Sequence, residues 1–252
     1  MKDRSRSSPD VWIAGVNPVK EALRAGGMPV RELILARTDR RGQELAELGG
    51  KKGIAIRRET RETLTALVGH EHHQGVALRA DEFHYTAMET LLARPAGEKE
   101  PLVILDTIQD PQNLGAILRS ACFLGAKGVV IPVDRSATVT ATVIKVAAGA
   151  TSYLPVAQVV NLSRTLEILK ECGIWTVGLD VGQSQPIYEV DLTIPLALVV
   201  GNEQKGLRPL VKKHCDLLAG IPAHGPLDSL NAAAATAVAL AEVQRQRLAR
   251  FG

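Results

Sequence analysis

Leu198-Val-Val-Gly201-Asn-Glu203-Gln-Lys-Gly206-Leu-Arg-Pro209 is an apolar, strand-like run that breaks at glycine and small polar residues before a helical pattern begins. Ile221-Pro-Ala-His-Gly-Pro-Leu-Asp-Ser229-Leu-Asn231-Ala repeats the plan, and Asp106-Thr-Ile-Gln-Asp-Pro-Gln-Asn113-Leu-Gly115-Ala-Ile-Leu-Arg119-Ser-Ala121 follows it with Asp, Pro and Asn at the break. Breaks of this kind, at the ends of buried strands, build ligand sites along the carboxyl edge of a sheet.

Around these segments, strand-like runs at Leu102–Leu105, Gly128–Pro132, Leu154–Val156, Trp175–Leu179, Leu196–Val200 and Leu218–Ile221 alternate with helical stretches. The helical stretches are Leu114–Leu124, Ala141–Ala148, Leu162–Glu171, Leu207–Lys213 and about Leu230 to Arg250. This alternation predicts an α/β domain with a mainly parallel sheet over residues 102–252. Residues 11–93 read as a smaller α/β unit, and 94–101, without apolar residues to bury, as a linker. Residues 1–10 are polar and rich in Ser and Arg, and are expected to be a disordered start.

Composition is that of a globular chain: 46% apolar and 23% charged residues, with 3% aromatics and a net charge of +3. Such a charge permits a polyanionic partner without requiring one. The basic excess lies in residues 1–94, with 16 Lys/Arg against 13 Asp/Glu, while the rest carries 14 of each. Arg40-Arg41, Lys51-Lys52 and Arg57-Arg58 are candidate RNA contacts there, or solvated helix ends and loops. Cys122, Cys172 and Cys215 lack CxxC spacing, and Cys122 and Cys172 fall in apolar helical patterns, so buried free thiols in a cytoplasmic protein are expected. No run approaches the roughly 20 apolar residues of a membrane helix, and no signal peptide is recognised.

Several chemistries lack their motifs. No G-x-G-x-x-G follows a strand, and Leu207 stands after Gly206 where a P-loop needs Lys-Ser/Thr. Gly182-Gln-Ser-Gln-Pro186 is not a nucleophile elbow. His70, His72 and His73 cluster without Cys or paired carboxylates, so no metal site is expected.

Within the three segments, Asp110-Pro-Gln-Asn113 is a turn opening a helix, with Asn113 a good N-cap. Arg119 falls in an otherwise apolar stretch, where a guanidinium needs a carboxylate or phosphate partner. Glu203 can cap the next helix, pair with Arg119, or accept hydrogen bonds from a substrate. Gly201 and Gly206 allow close backbone approach. Ser229 is a plausible N-cap, and Asn231 can address a ligand from a helix start.

Together the segments resemble the three signature motifs of the SpoU (TrmH) family of RNA 2'-O-ribose methyltransferases, in the SPOUT class. The matching residues are Asn113, Gly115 and Arg119, then Gly201, Glu203 and Gly206, then Ser229, Leu230 and Asn231. Gly15-Val-Asn-Pro-Val-Lys-Glu-Ala-Leu23 and His73-Gln-Gly-Val76 resemble markers of a small, ribosomal-protein-like RNA-binding domain in the 23S rRNA guanosine methyltransferase branch. Asn17-Pro18 departs from the His-containing turn usual in that branch.

The resemblance implies S-adenosyl-L-methionine (AdoMet) as cofactor, bound in a deep trefoil knot by Leu179, Gly201, Glu203, Ile221, Ser229 and Leu230. It implies methyl transfer to a ribose 2'-hydroxyl with no metal, and Arg119, Asn113, Glu203, Ser229 and Asn231 as the catalytic set. A homodimer is implied as well. Alternatives are a tRNA substrate, or a non-catalytic RNA-binding or ribosome-assembly protein of the same fold.

Overall fold

The computed structural model describes residues 11–25, 30–93, 100–182, 185–202 and 205–251. Residues 1–10 and most of the expected linker lie outside them. The chain forms two compact units, Met1–His84 with Val139–Tyr153, and Tyr85–Thr138 with Leu154–Gly252. This division differs from the expected domains at two places. Residues 85–93 group with the second unit, and a fifteen-residue stretch from the middle of the later sequence groups with the first.

In the first unit, β1 (Val11–Ala14), α1 (Val16–Ala25), β2 (Val30–Leu35), α2 (Arg40–Lys51), β3 (Ala55–Arg58), α3 (Arg61–Val68) and β4 (Val76–Ala80) follow in order. The sheet runs β1-β4-β2-β3, with β4 antiparallel to both neighbours and β2 parallel to β3. Leu33, Ile34, Leu35, Val76, Ala77 and Leu78 form its buried centre. Gly49-Gly50 does not end α2, which continues through both to Lys51, and a Cβ on Gly49 would lie 3.2 Å from Leu33 Cδ2. Glycine there lets the helix press on the sheet rather than stopping it. A helix absent from the early sequence, α6 (Ala141–Ala147), also belongs to this unit. It is followed by a 3-10 turn at Ala150–Ser152, where Tyr153 Oη donates to Glu21 Oε2 at 3.2 Å.

The second unit holds α4 (Met88–Ala93), β5 (Leu102–Leu105), α5 (Pro111–Phe123), β6 (Gly128–Pro132), β7 (Val156–Val159), α7 (Leu162–Glu171), β8 (Trp175–Leu179), β9 (Leu196–Val200), α8 (Pro209–His214), β10 (Leu217–Ala219) and α9 (Ala232–Phe251). All pairings are parallel, in the order β10-β8-β9-β5-β6-β7. β5, β6 and β9 are buried at every residue, as helix-covered parallel strands are. The short helix α4 was not expected; its Leu91 is fully buried, and a Cβ on Gly128 would lie 2.6 Å from Leu91 Cδ1.

From β5 the chain leads outward through β6 to β7, whereas from β9 it leads the other way, past β8 to β10. The crevice at the carboxyl ends of β5 and β9 is therefore a topological switch point. All three signature segments begin at this edge.

Candidate active site

A cleft of about 1090 Å³ opens beyond the carboxyl ends of β8, β9 and β10. Its walls are Leu179–Gly182, Val200–Asn202, Lys205, Gly206 and the connection 220–230 into α9. Of the residues expected to hold a cofactor, Leu179, Gly201, Ile221, Ser229 and Leu230 all line it. Glu203 lies outside the described residues.

Close packing explains the glycines. A Cβ on Gly201 would sit 2.2 Å from the Gly206 carbonyl carbon, and Gly206 itself has φ +63°. Asn202 and Gly206 exchange main-chain hydrogen bonds of 3.1 and 2.8 Å, closing the loop into a tight return. Deep in the cleft Asp180, 7% exposed, pairs with Lys212 at 2.6 Å. This pair escaped the sequence reading because the two residues are 32 positions apart and neither belongs to a motif. Asp180, Asp228 and His224 are the carboxylates and imidazole of the described lining.

The first segment is tied to the second by groups the sequence did not mark. Asp106, at the end of β5, is fully buried and accepts from Arg208 Nε at 2.6 Å and from the Arg208 amide at 2.8 Å. Thr107 stands at φ 62°, and its carbonyl accepts from Asn202 Nδ2 at 3.1 Å. A β-branched residue in that region is strained, and these bonds hold it there.

Two capping expectations are corrected. Asn113 does not cap α5: Pro111 suits only the first helical position, so the cap falls to Asp110, whose Oδ1 accepts from the Gln112 amide at 2.9 Å. Ser229 does not cap α9 either. Asn231 does so, with Oδ1 accepting from the Ala233 and Ala234 amides at 2.9 and 3.4 Å.

Arg119 is exposed and makes no ion pair or hydrogen bond among the described residues. The buried stripe of α5 is Leu114, Gly115, Ile117, Leu118 and Ala121, and Arg119 points roughly a third of a turn away from its middle. Of the two partners the sequence left open for it, a carboxylate is not found among the described residues, and Glu203 lies outside them.

The structure does join Asn113 and Asn231, 118 positions apart in sequence: Asn231 Nδ2 donates to Asn113 Oδ1 at 2.9 Å. With its oxygen on the helix amides and its nitrogen on Asn113, Asn231 has a fixed amide orientation. Neither Asn113, Asn231 nor Arg119 lines the cleft itself.

In the first unit, Arg40, Arg41, Lys51, Lys52, Arg57 and Arg58 are all exposed. Arg57 is shared by Glu59 at 3.3 Å and Glu32 at 3.8 Å, and Lys52 Nζ donates to the Arg24 carbonyl at 3.3 Å. Arg40, Arg41, Lys51 and Arg58 make no ion pair among the described residues. The expectation of buried thiols is corrected for Cys172, which is exposed at the end of α7, while Cys122 is half-buried. Cys215 is the most protected thiol, pushed up to about 12 by burial and then by neighbouring Asp216. Among the described residues no His/Cys/Asp/Glu group could hold a metal, and no helix is long and apolar enough to cross a membrane.

Comparison with known proteins places this geometry. The SpoU rRNA Methylase family model matches residues 100–241, and a model for RNA 2'-O ribose methyltransferase substrate binding matches 12–86. A 23S rRNA (guanosine-2'-O-)-methyltransferase, RlmB of Xanthomonas axonopodis pv. citri, is 42% identical over 246 residues, covering 96% of this chain and 99% of that one. An uncharacterized tRNA/rRNA methyltransferase of Mycolicibacterium smegmatis is 43% identical over 240 residues, covering 93% of this chain and 76% of its own. The crystal structure of the SpoU methyltransferase AviRb from Streptomyces viridochromogenes, in complex with the cofactor AdoMet, superposes with a TM-score of 0.81 at 26% identity, covering 95% and 91% of the two chains. The chain belongs to the SpoU rRNA methylase family.

Proposed function

We propose that the protein is an AdoMet-dependent RNA methyltransferase acting on the ribose 2'-hydroxyl of a guanosine in 23S rRNA. The observation that carries this is the glycine-walled cleft at the switch-point edge, with Asn113 and Asn231 locked together by the same α9 entry that forms its wall. The near full-length likeness to RlmB supports the guanosine and 23S rRNA parts.

The cleft suits AdoMet. Leu179, Ile221 and Leu230 offer apolar faces for a flat base, and main chain beside Gly201 and Gly206 can approach polar edges closely. Asp180 supplies a carboxylate for hydroxyl or ammonium groups. When bound, AdoMet supplies a methyl already activated on a sulfonium. The protein's task is then to aim a ribose hydroxyl and manage its proton.

Arg119 is unsuited to deprotonating that hydroxyl, since guanidinium stays charged up to roughly pH 12 and has no free lone pair to accept a proton. In this reading it grips a phosphate and stabilises developing alkoxide charge, while the Asn113–Asn231 pair and Glu203 orient the sugar. Ser229 serves the cofactor and ribose side. The connection 220–231 would thread the trefoil knot. The exposed basic residues of α2 and β3 would meet RNA phosphates. The protein would work in the cytoplasm as a homodimer through α5 and α9, where Phe123 is 88% and Leu248 68% exposed.

The deciding experiment incubates the protein with labelled AdoMet and separate pools of undermethylated 23S rRNA and tRNA, then maps the modified nucleotide. Label on a guanosine ribose of 23S rRNA is the expected result. Label confined to tRNA overturns the substrate. Absence of AdoMet binding by calorimetry at millimolar ligand would favour a non-catalytic RNA-binding or assembly role.

A further inference from the structure

Arg135 stands in the left-handed region, φ 58°, on the turn that follows β6. Glycine adopts this conformation freely and Asn or Asp with little penalty, whereas a long side chain with an ordinary Cβ bears the full steric cost. The chain beyond it imposes the conformation. Ser136 Oγ and the Ala137 amide both donate to the Ile108 carbonyl, at 3.1 and 2.7 Å. The turn is thereby pinned to the Asp106–Asp110 segment that leads into α5, the helix carrying Asn113 and Arg119.

Other non-glycine residues in this region have local uses for it. Thr107 offers its carbonyl to Asn202, Gln74 accepts the Val16 amide through Oε1, and Ala148 ends α6. Arg135 has none. Its side chain is exposed and makes no hydrogen bond or ion pair among the described residues, even with neighbouring Asp134. What the position holds, at the cost of strain, is a forked cation at the carboxyl edge of the sheet. Strained residues of this kind gather where a site needs them.

We propose that Arg135 is a substrate-positioning residue whose guanidinium grips an RNA phosphate flanking the nucleotide to be methylated. This rests on the RNA methyltransferase reading and adds to it a contact outside the three signature segments. A planar fork fits a phosphate through two parallel bonds, which an ammonium cannot supply.

The test compares Arg135→Gly and Arg135→Lys with the wild type in the full chain, using transcribed 23S rRNA fragments. Arg135→Gly should raise the thermal midpoint by relieving strain, yet raise KM for RNA about tenfold, with kcat and AdoMet affinity unchanged. Its log–log salt dependence of RNA binding should flatten by about 0.7, the loss of one single-strand phosphate contact. Arg135→Lys, which keeps the charge but not the fork, should restore the salt slope and only part of the affinity while keeping the wild-type midpoint. A glycine variant that is more stable but binds and methylates RNA like the wild type overturns the proposal. A lower midpoint overturns the assignment of strain. If the wild type binds RNA but transfers no methyl, the enzymatic reading fails while the salt slopes still decide the phosphate contact. If it binds no RNA, both fall.

Discussion

Asn231 does two jobs with one amide: its oxygen caps α9 and its nitrogen holds Asn113. The two can be separated. Asn231→Asp keeps a capping oxygen but removes the donor, so the thermal midpoint should stay near wild type while kcat falls. Asn231→Ala loses both, and should destabilise by about 1 kcal/mol, typical of a lost cap, besides losing activity. Equal kcat in Asn231→Asp and wild type would show that the Asn113 link has no part in the reaction. Arg119 makes a complementary case. It is exposed and stands off the cleft, so Arg119→Lys should leave AdoMet affinity intact in calorimetry while lowering kcat about 100-fold, the scale of a lost transition-state donor. Near-normal turnover in that variant would rule out a bidentate role. The sequence marked both residues as chemically important, yet misjudged their settings. Capping preference alone favoured Asn113 and Ser229, but the cap went to the residues whose backbone preceded the first helical turn. Burial of Arg119 was inferred from apolar neighbours, whereas its angular position on α5 takes it away from the stripe.

At the level of the element, the loop between α3 and β4 is held by a buried histidine. His73 Nδ1 accepts from the Gly75 amide at 3.0 Å, and Thr65 Oγ1 lies 3.0 Å from Nε2 while donating its own proton to the Arg61 carbonyl. Those contacts require neutral His73 with the proton on Nε2. Burial, and then nearby Arg61, pull its pKa below the ordinary 6.5; burial does the same for His70. The unfolded chain therefore takes up the proton first. Stability is intact above pH 6.5 and falls as pH drops through 6.5 towards the lower folded value. Urea titrations of the full chain at pH 7.5 and 5.5 should show this loss, and His73→Gln should flatten it. The N-cap of α2 behaves differently: Asp39, bonded to Arg37 at 2.6 Å and to the Gly42 amide, is held at about 2, so its contribution survives until far more acidic conditions. Motif spacing made the His73-Gln-Gly turn visible in the sequence, but not the hydrogen bonds that set its protonation. Strands were legible by their apolar runs. A glycine can mark close packing rather than chain reversal, as Gly49 does within α2.

For the molecule as a whole, ligand and assembly should act on defined parts. AdoMet at 100 times its Kd should stabilise the chain by about 2.7 kcal/mol. Scanning calorimetry should assign that gain to the transition of the second unit, whose residues alone line the cleft. In the proposed homodimer Phe123→Glu, at the exposed end of α5, should shift the light-scattering mass from dimer to monomer; an unchanged dimer mass would exclude this face from the interface, and a monomeric wild type would overturn the dimer itself. The sequence by itself determined the parallel α/β character, because periodicity is a local signal, and through the resemblance of its three segments it pointed to the family and to residues that line the cleft. Only the tertiary structure decided that β9 lies beside β5, that Asp106 takes its charge partner from Arg208, and that Val139–Tyr153 joins the first unit. Each of these depends on pairings between residues distant in the chain. Such contacts are selected by the burial and hydrogen bonding of the completed fold, so no window of sequence contains them.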